Sequence, residues 1–260
     1  RSLTTMRRCL ELIGKTDRNF IKLDDKPTMA FLRKGRAETG VFQLEGFTAA
    51  QGCREIKVKT VRDIILVNAL YRPATRDHGY TDLYLENRKS PNDVEYIHEI
   101  FKRHLKETHG VPVFQEQVLA ILRDLGMPVE ELNDFLQAVK GKHAIAGYSD
   151  KSDSIFRKHK SRFNKLCKAV GMSEDQIVEA WSLVEGFAAY GFNRAHATAY
   201  SLFGYQMAYM KIHFPLEFHT ALLETTAGSP KEAKYIKEAR TMGIRILPAD
   251  VNLSAVSWIM

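Results

Sequence analysis

The chain has 260 residues, of which 45% are hydrophobic and 27% are charged, which are ordinary proportions for a folded globular protein. Its apolar runs are shorter than the roughly 20 residues that a membrane span requires, and its three scattered cysteines argue against a disulfide framework or a zinc site and fit a reducing cytosol. The net charge of +7 is a mild indication of an anionic partner, which nucleic acid, an acidic membrane surface or another protein would satisfy.

The chain opens with Arg1 in place of Met, so we expect it to begin inside a longer polypeptide, and its first residues read as a helical pattern without a signal peptide. Apolar residues recur at helical spacing along most of the sequence, between glycines, prolines and capping residues that mark helix ends. Helices are predicted over Leu3–Ile13, over Val61–Leu70, from Ser90 until Gly110, over Gln115–Leu125, behind the capping box of Ser173 and Gln176, from Ala197, and from Ser229 to Gly243.

Strand patterns are weak and short. The best candidates are Gly40–Leu44 and Ile244–Leu247, which turn-forming residues bound on both sides. The most polar interruption, Gly147–Ser154, is predicted to be a mobile loop. The predicted fold class is therefore mainly α, an irregular multi-helix assembly with short minor strands.

Positive charge is densest between Lys151 and Lys168, where Asp153 is the single acid. Phe156 and Phe163 recur there at helical spacing, which predicts an amphipathic helix with a cationic face. Such a face binds phosphates in some proteins and is merely solvated in others, and both interpretations stay open. The basic residues are Lys151, Arg157, Lys158, Lys160, Arg162, Lys165 and Lys168.

The most unusual local sequence runs from Tyr190 to His196. It presents the side chains of Asn193, Arg194 and His196 where a predicted helix begins. A phosphate site would combine the guanidinium fork, the imidazole and the free N–H groups of the helix start. The alternative is that Asn193 only caps the helix and its neighbours are surface residues.

Two weaker phosphate-site signals lie elsewhere. Lys140 and Lys142 flank Gly141 directly after a predicted helix, although the spacing does not match a Walker loop. Arg72 follows the predicted Val61–Leu70 helix, where a cation near the negative end of the helix dipole is the commoner explanation.

Residue patterns predict no catalytic residue and no metal site in the chain. Asp24 and Asp25 are adjacent, so their carboxylates point apart, and His213 and His219 lack close acidic or thiol partners in sequence. No Ser-His-Asp or Cys-His arrangement stands out.

Five short segments stand out by their local sequence. They read GVFQLE at Gly40–Glu45, ALYRP at Ala69–Pro73, THGVPVFQEQV at Thr108–Val118, FAAYGFNRAHATAY at Phe187–Tyr200 and LPADVN at Leu247–Asn252. In this order they resemble segments of the C family of bacterial replicative DNA polymerases, the DNA polymerase III alpha-subunit type. That family reads GVFQLES, ALYRPGP, TYGVxVYQEQVM, FAGYGFNKSHAAAY and LPPDVN, so Gly46, Ala74, Thr75 and Arg194 are departures.

The resemblance implies the fingers region of a DNA-directed DNA polymerase. In that family three palm aspartates hold two Mg²⁺ ions while a primer 3′-hydroxyl attacks the incoming nucleotide. Those aspartates lie upstream of the matched region, so this fragment alone is expected to be inactive. The implied segments are 1–35 as a connector helix and turn following the palm, 36–228 as the fingers core, and 229–260 as the C-terminal end leading to the next domain.

The resemblance also implies binding partners and site residues. The partners are primer–template DNA, deoxynucleoside triphosphates and, through other domains, the sliding clamp and other replisome proteins, without a membrane. The expected location is the cytoplasm, with the nucleoid or in a phage-infected bacterium. Nucleotide binding is assigned to Asn193, Arg194, His196, Lys140, Lys142 and Arg72, and DNA binding to Arg157, Lys158, Lys160, Arg162 and Lys165.

One departure lies within Leu136–Lys142, where cellular members usually read LRRAMGK. Gln137 and Ala138 replace the paired arginines, and Lys140 and Lys142 would restore charge without bidentate geometry. This indicates a diverged member of phage or secondary-polymerase type. Two alternatives stay open: a non-catalytic DNA-binding protein derived from a polymerase, and a module that docks a replisome partner.

Overall fold

The computed structural model describes residues 1–72, 75–76, 79–135, 150–188, 191–255 and 257–260, with the side chains of 150–157 and 188 left outside the description. The predicted mainly α fold is confirmed across these ranges, and residues 129–135 are helical as well. The helices are α1 (Ser2–Leu12), α2 (Lys26–Arg33), α3 (Phe47–Glu55), α4 (Val61–Leu70), α5 (Tyr80–Lys89), α6 (Glu99–Leu105), α7 (Gln115–Asp124), α8 (Asp150–Ala169), α9 (Glu174–Ala188), α10 (Arg194–His213), α11 (Pro215–Thr226) and α12 (Glu232–Thr241), with a 3₁₀ turn at Lys106–Thr108.

Local sequence signals account for several helix ends. The predicted capping box before α9 is confirmed, because the Gln176 side chain accepts from the Ser173 N–H at 3.0 Å and the Ser173 hydroxyl accepts from the Gln176 N–H at 3.3 Å. At α2 the Asp25 carboxylate accepts from the Thr28 N–H at 2.9 Å, with Pro27 in the first turn. These ends are therefore fixed by neighbouring residues alone.

Both predicted minor strands are wrong. Gly40 and Gln43 have positive φ angles of 69° and 59°, which turn the backbone, and the Leu44 N–H donates to the Val41 carbonyl at 3.1 Å. The segment 244–247 forms no strand, and its first N–H, that of Ile244, still donates to the Ala239 carbonyl at the end of α12. In the described ranges the extended pairing is limited to one isolated parallel bridge, between Phe114 and Phe192.

The helix predicted from Ser90 begins nine residues later, at Glu99. His98 is its N-cap, in an extended conformation, and its ring accepts from the Ile100 N–H at 3.3 Å. The apolar residues Tyr96 and Ile97 pack against the core from an irregular segment, so helical spacing did not require a helix here. The polar loop predicted over Gly147–Ser154 is likewise helical from Asp150 onward, and 147–149 lie outside the described residues.

The described residues divide into two compact units, Arg1–Asn68 with Ala197–Met260, and Ala69–His196. In the first unit α1 packs against α11. Lys211 is completely buried there and donates to the Thr39 carbonyl at 2.6 Å and to Glu238 at 2.7 Å. Burial lowers the pKa of Lys211 and raises that of Glu238, the directions expected when charges are desolvated.

The second unit encloses an aromatic core between α6, α7, residues 129–135, α8 and α9. Phe135 and Phe163 are fully buried, and both rings contact Trp181, with centroid distances of 6.1 and 5.4 Å. These two units are defined by how the helices pack together. The predicted segments 1–35, 36–228 and 229–260 are defined by their expected position relative to a palm domain, and they stay predictions. No helix in the described part of the chain is long and apolar enough to cross a membrane.

Candidate functional site

The buried side chain of Gln117, in the first turn of α7, fixes the backbone that leads into this helix. Its Oε1 accepts from the N–H groups of Val113 and Phe114, each at 2.9 Å. Its Nε2 donates to the His104 carbonyl at 2.9 Å and to the Thr108 hydroxyl at 2.8 Å. Four hydrogen bonds use the full capacity of a primary amide, so Gln117 ties the end of α6 to the start of α7.

Gln115 attaches a second, distant segment to this frame. Its backbone N–H donates to the Phe192 carbonyl at 2.9 Å, and its side-chain amide donates to the Gly191 carbonyl at 3.1 Å. The first of these bonds forms the parallel bridge between Phe114 and Phe192 together with a second backbone bond, in which the Phe192 N–H donates to the Val113 carbonyl at 3.4 Å. A Cβ atom at Gly191 would collide with the Phe187 ring, so only glycine fits where the chain leaves α9.

Glu116 and Asn193 fix the start of α10, whose first residue is Arg194. Both carboxylate oxygens of Glu116 accept from the Arg194 N–H at 3.0 Å, and the Asn193 Oδ1 accepts from the His196 N–H at 2.7 Å. The negative Glu116 lies at the positive end of the helix dipole, where it is favourable. Asn193 is therefore an N-cap, as the alternative interpretation predicts, and the N–H groups of 194 and 196 already have partners.

Two guanidinium groups lie on the two bridged aromatic rings. Arg194 lies over the Phe114 ring, with its Cζ 4.6 Å from the centroid, and its Nη2 donates to Glu107. Arg72 lies over the Phe192 ring at 4.2 Å. The Arg194 Nε and the Arg72 Nη1 are buried and have no hydrogen-bond partner among the described residues. Burial lowers the pKa of the Arg72 guanidinium from its ordinary value.

The structure thus brings four predicted nucleotide-binding residues to one place. The exposed His196 ring meets the Phe192 ring edge-on, with centroids 5.5 Å apart, so His196 and Arg72 both contact Phe192. Asn193 and Arg194 directly follow Phe192 in sequence. The other two predicted residues, Lys140 and Lys142, lie outside the described residues.

Sequence reasoning missed the two carboxylates of this site. Glu116 reads as an ordinary first-turn acid of α7, and its bond to Arg194 joins residues 78 positions apart. Glu107 lies in the 3₁₀ turn, 87 positions from Arg194, and no local pattern marks it. Neither pairing has a short-range signal, because both arise from the tertiary bridge.

The predicted DNA-binding residues lie along α8, which buries Phe163 and Cys167 against α9 and leaves its cations outside. Arg162 pairs with Glu131 at 2.8 Å, and the Lys160 ammonium lies 5.4 Å from the Trp181 centroid. Lys158 and Lys165 are exposed. The side chain of Arg157 lies outside the described residues.

A surface depression of ≈ 440 Å³ lies along the same helix. The described residues that line it are Lys160, Ser161, Asn164, Lys165 and Lys168. Lys168 is partly neutralised by Glu174 at 2.6 Å, so Lys160 and Lys165 supply most of its positive charge. Cations and amide groups in one depression suit an anionic ligand such as a phosphate.

Metal ligands are not clustered in the described ranges. No three or more His, Cys, Asp or Glu residues there lie close enough together to hold an ion.

Comparison with known proteins identifies relatives over nearly the whole chain. The sequence model for the bacterial DNA polymerase III alpha subunit finger domain matches residues 2–164. The chain is 37% identical over 247 residues to DNA polymerase III subunit alpha of Thermus aquaticus, which covers 93% of this chain and 19% of the relative. Identity is 37% over 243 residues to the Bacillus subtilis (strain 168) subunit, with coverages of 93% and 21%. It is 34% over 263 residues to that of Aquifex aeolicus (strain VF5), with coverages of 99% and 22%.

The chain spans about a fifth of the length of the curated relatives it matches. The matches include the described QEQ and GFNRAH segments, because they cover more than nine tenths of the chain. The resemblance inferred from the five sequence segments is thereby confirmed.

We expect Gln117→Leu to lower the free energy of unfolding of the second unit by about 2–4 kcal/mol, because it leaves the buried N–H groups of Val113 and Phe114 without an acceptor. Urea unfolding followed by Trp181 fluorescence in a Trp258→Phe background measures this loss. Glu179→Leu, an exposed position on α9, is the control and should change stability by less than about 0.5 kcal/mol. Equal effects of the two substitutions would contradict the role of Gln117.

Proposed function

The chain belongs to the finger-domain family of bacterial DNA polymerase III alpha subunits, and from this membership we propose that it is the fingers portion of a template-directed DNA polymerase. In this role it binds the triphosphate of the incoming deoxynucleotide together with template and primer DNA. The enzyme as a whole is a DNA-directed DNA polymerase, a nucleotidyltransferase of DNA replication. The 260-residue chain alone would be inactive, because the family resemblance assigns the catalytic carboxylates to the palm.

The convergence of Arg72, Arg194 and His196 on the Phe114–Phe192 bridge is the observation that supports this proposal most. Each guanidinium has one buried N–H without an acceptor among the described residues. An unsatisfied buried donor costs about 1–3 kcal/mol, and phosphate oxygens would remove that cost. Guanidinium forks match phosphate oxygens bidentately, so a triphosphate suits this pair better than a neutral ligand does.

Nucleotidyl transfer joins the primer 3′-oxygen to the α-phosphorus and breaks the bond from that phosphorus to the oxygen that bridges to the β-phosphate. Pyrophosphate leaves with the bonding electrons, and the 3′-hydroxyl proton passes to solvent. Arg72 and Arg194 would hold the triphosphate in position and stabilise the charge that develops on the leaving pyrophosphate. His196 would line the sugar or phosphate. The Mg²⁺ ions of this reaction would be held by palm residues elsewhere in the polymerase.

The cationic face of α8 is the proposed contact with the nucleic-acid backbone. Lys158, Lys160 and Lys165 are exposed on a helix that the buried Phe163 anchors in the core. Exposed ammonium groups on a rigid helix bind backbone phosphates and make no contacts that distinguish one base from another. Such binding suits a polymerase that must copy any template. Sliding-clamp and replisome contacts would belong to other domains, and the site of action would be the bacterial cytoplasm with its nucleoid.

In a polymerase that carries this chain together with its palm, Arg194→Ala should lower kcat/KM for a deoxynucleotide at least tenfold, a loss of about 1.4 kcal/mol or more. Steady-state primer extension measures this ratio. Arg194→Lys is the matched control, because it keeps the positive charge without the bidentate fork, and it should retain more activity than Arg194→Ala. An unchanged kcat/KM in Arg194→Ala would refute the triphosphate contact.

Replacing Lys158, Lys160 and Lys165 together by Gln should flatten the salt dependence of DNA binding. Each phosphate contact contributes about 0.9 to the slope of log K against log salt, so the slope should fall by about two to three. Fluorescence anisotropy of a labelled primer–template duplex with the 260-residue chain measures it. Lys22, Lys26 and Lys34, also exposed, give a control triple with the same change of net charge.

An unaltered slope in the α8 triple, or an equal change in the control triple, would contradict the DNA contact. The same titrations separate the alternatives. Salt-dependent binding without any effect of deoxynucleotides, with the palm supplied, would favour a non-catalytic DNA-binding protein. No salt-dependent binding at all would favour a module that docks a protein partner.

A further inference from the structure

Arg194 is already held by a carboxylate in this structure. Its Nη2 donates to Oε1 of Glu107, which belongs to the 3₁₀ turn directly before the loop that Gln117 fixes. The Arg194 side chain is 37% exposed and that of Glu107 is 28% exposed, so both lie where a ligand can reach them. A partly exposed ion pair of this kind orients the guanidinium, and it is weak enough for another anion to replace the Glu107 carboxylate.

Glu107 leaves part of the guanidinium edge unsatisfied. The neighbouring donor on the same edge, Arg194 Nε, is buried and has no partner among the described residues. An Arg edge presents Nε and Nη2 as parallel donors, which two oxygens of one phosphate accept together. A phosphate in place of the carboxylate would therefore use both donors, whereas Glu107 uses one.

The charges around Arg194 also indicate that Glu107 hinders the binding of an anion. The backbone N–H of Arg194 is bound by Glu116 and its side chain by Glu107, so two carboxylates lie at one arginine. Arg72, over the ring of Phe192, supplies the second positive charge. Two carboxylates and two guanidinium groups nearly neutralise each other, and an incoming anion meets little net attraction until Glu107 moves away.

From these contacts we infer that Glu107 is an internal competitor for the anion site of Arg194, and that a polyphosphate ligand displaces it. This inference rests on the proposed function, because it takes Arg194 to be the triphosphate-binding residue. Before binding, Glu107 keeps the Arg194 guanidinium pointed toward the ligand position. An anion binds there only if it interacts with Arg194 more favourably than the Glu107 carboxylate does. It is a positioning residue and takes no part in bond making.

The test is the binding of inorganic tripolyphosphate to the 260-residue chain, measured by isothermal titration calorimetry near 0.15 M salt. Glu107→Gln keeps the size of the side chain and removes its charge, so it should lower the Kd at least threefold. A role in stability alone would not tighten binding. Glu99→Gln, an exposed acid of the same unit that lies 4.0 Å from Lys102, removes one charge as the control and should leave the Kd within experimental error.

A double-mutant comparison ties the gain to Arg194. In an Arg194→Ala background, Glu107→Gln should give less than half of its effect, because the competing pair no longer exists. Binding that appears only in Glu107→Gln would also support the inference. The inference is overturned if Glu107→Gln leaves binding unchanged or weaker, if neither protein binds, or if the full gain persists without Arg194.

These outcomes are separable from failure of the proposed function. If Arg194→Ala binds tripolyphosphate as tightly as the unmodified chain, the triphosphate role of Arg194 is wrong whatever Glu107 does. If Arg194→Ala weakens binding while Glu107→Gln has no effect, the role of Arg194 stands and the competition by Glu107 does not. Glu107→Ala, with thermal unfolding of every variant, guards against a misfolded Gln variant.

Discussion

The candidate site depends on the four hydrogen bonds of the buried Gln117 amide. Without them, the N–H groups of Val113 and Phe114 would be buried and unpaired, a cost that the folded state of a small unit tolerates badly. With them, the backbone at Phe114 is held extended, with φ −115° and ψ 142°, and pairs with Phe192 through the parallel bridge. Gln115 and Glu116 then bind residues 191–194 through hydrogen bonds to Gly191 and Arg194. Three consecutive polar side chains therefore hold in place a segment that lies more than 70 residues away in sequence.

The two bridged aromatic rings fix the positions of the two arginine side chains. Phe114 and Phe192 are joined by the bridge, and each ring lies under one guanidinium, that of Arg194 or Arg72. A guanidinium held over an aromatic face does not spend its N–H donors on that contact, and Arg72 Nη1 and Arg194 Nε have no hydrogen-bond partner among the described residues. The carboxylates of Glu116 and Glu107 complete the charge balance. The arrangement is therefore prepared for an anion and nearly neutral before one arrives.

Much of the fold could be predicted because its signals are local. The bounds of α1, α4 and α7 follow from apolar spacing, and the start of α9 from the Ser173 capping box, since short-range interactions fix them. The prediction failed between Ser90 and His98, where the same apolar spacing is satisfied by irregular packing, and at Gly40–Leu44, where positive φ angles exclude a strand. Residues of the site were predictable from the unusual sequence at Asn193–His196, whereas Glu107 and the bridge required tertiary information.

Hydrogen exchange at two backbone amides tests the central claim, that Gln117 supports the distant Arg194 segment, most directly. The Gln115 N–H donates to Phe192 and the Arg194 N–H donates to Glu116, and neither bond involves Gln117 itself. In Gln117→Leu, NMR-detected exchange of both amides should accelerate at least tenfold relative to the amides of α9, which report any general loss of stability. Acceleration confined to Val113 and Phe114, with Gln115 and Arg194 unchanged, would contradict the claim and leave Gln117 as a local stabilising residue only.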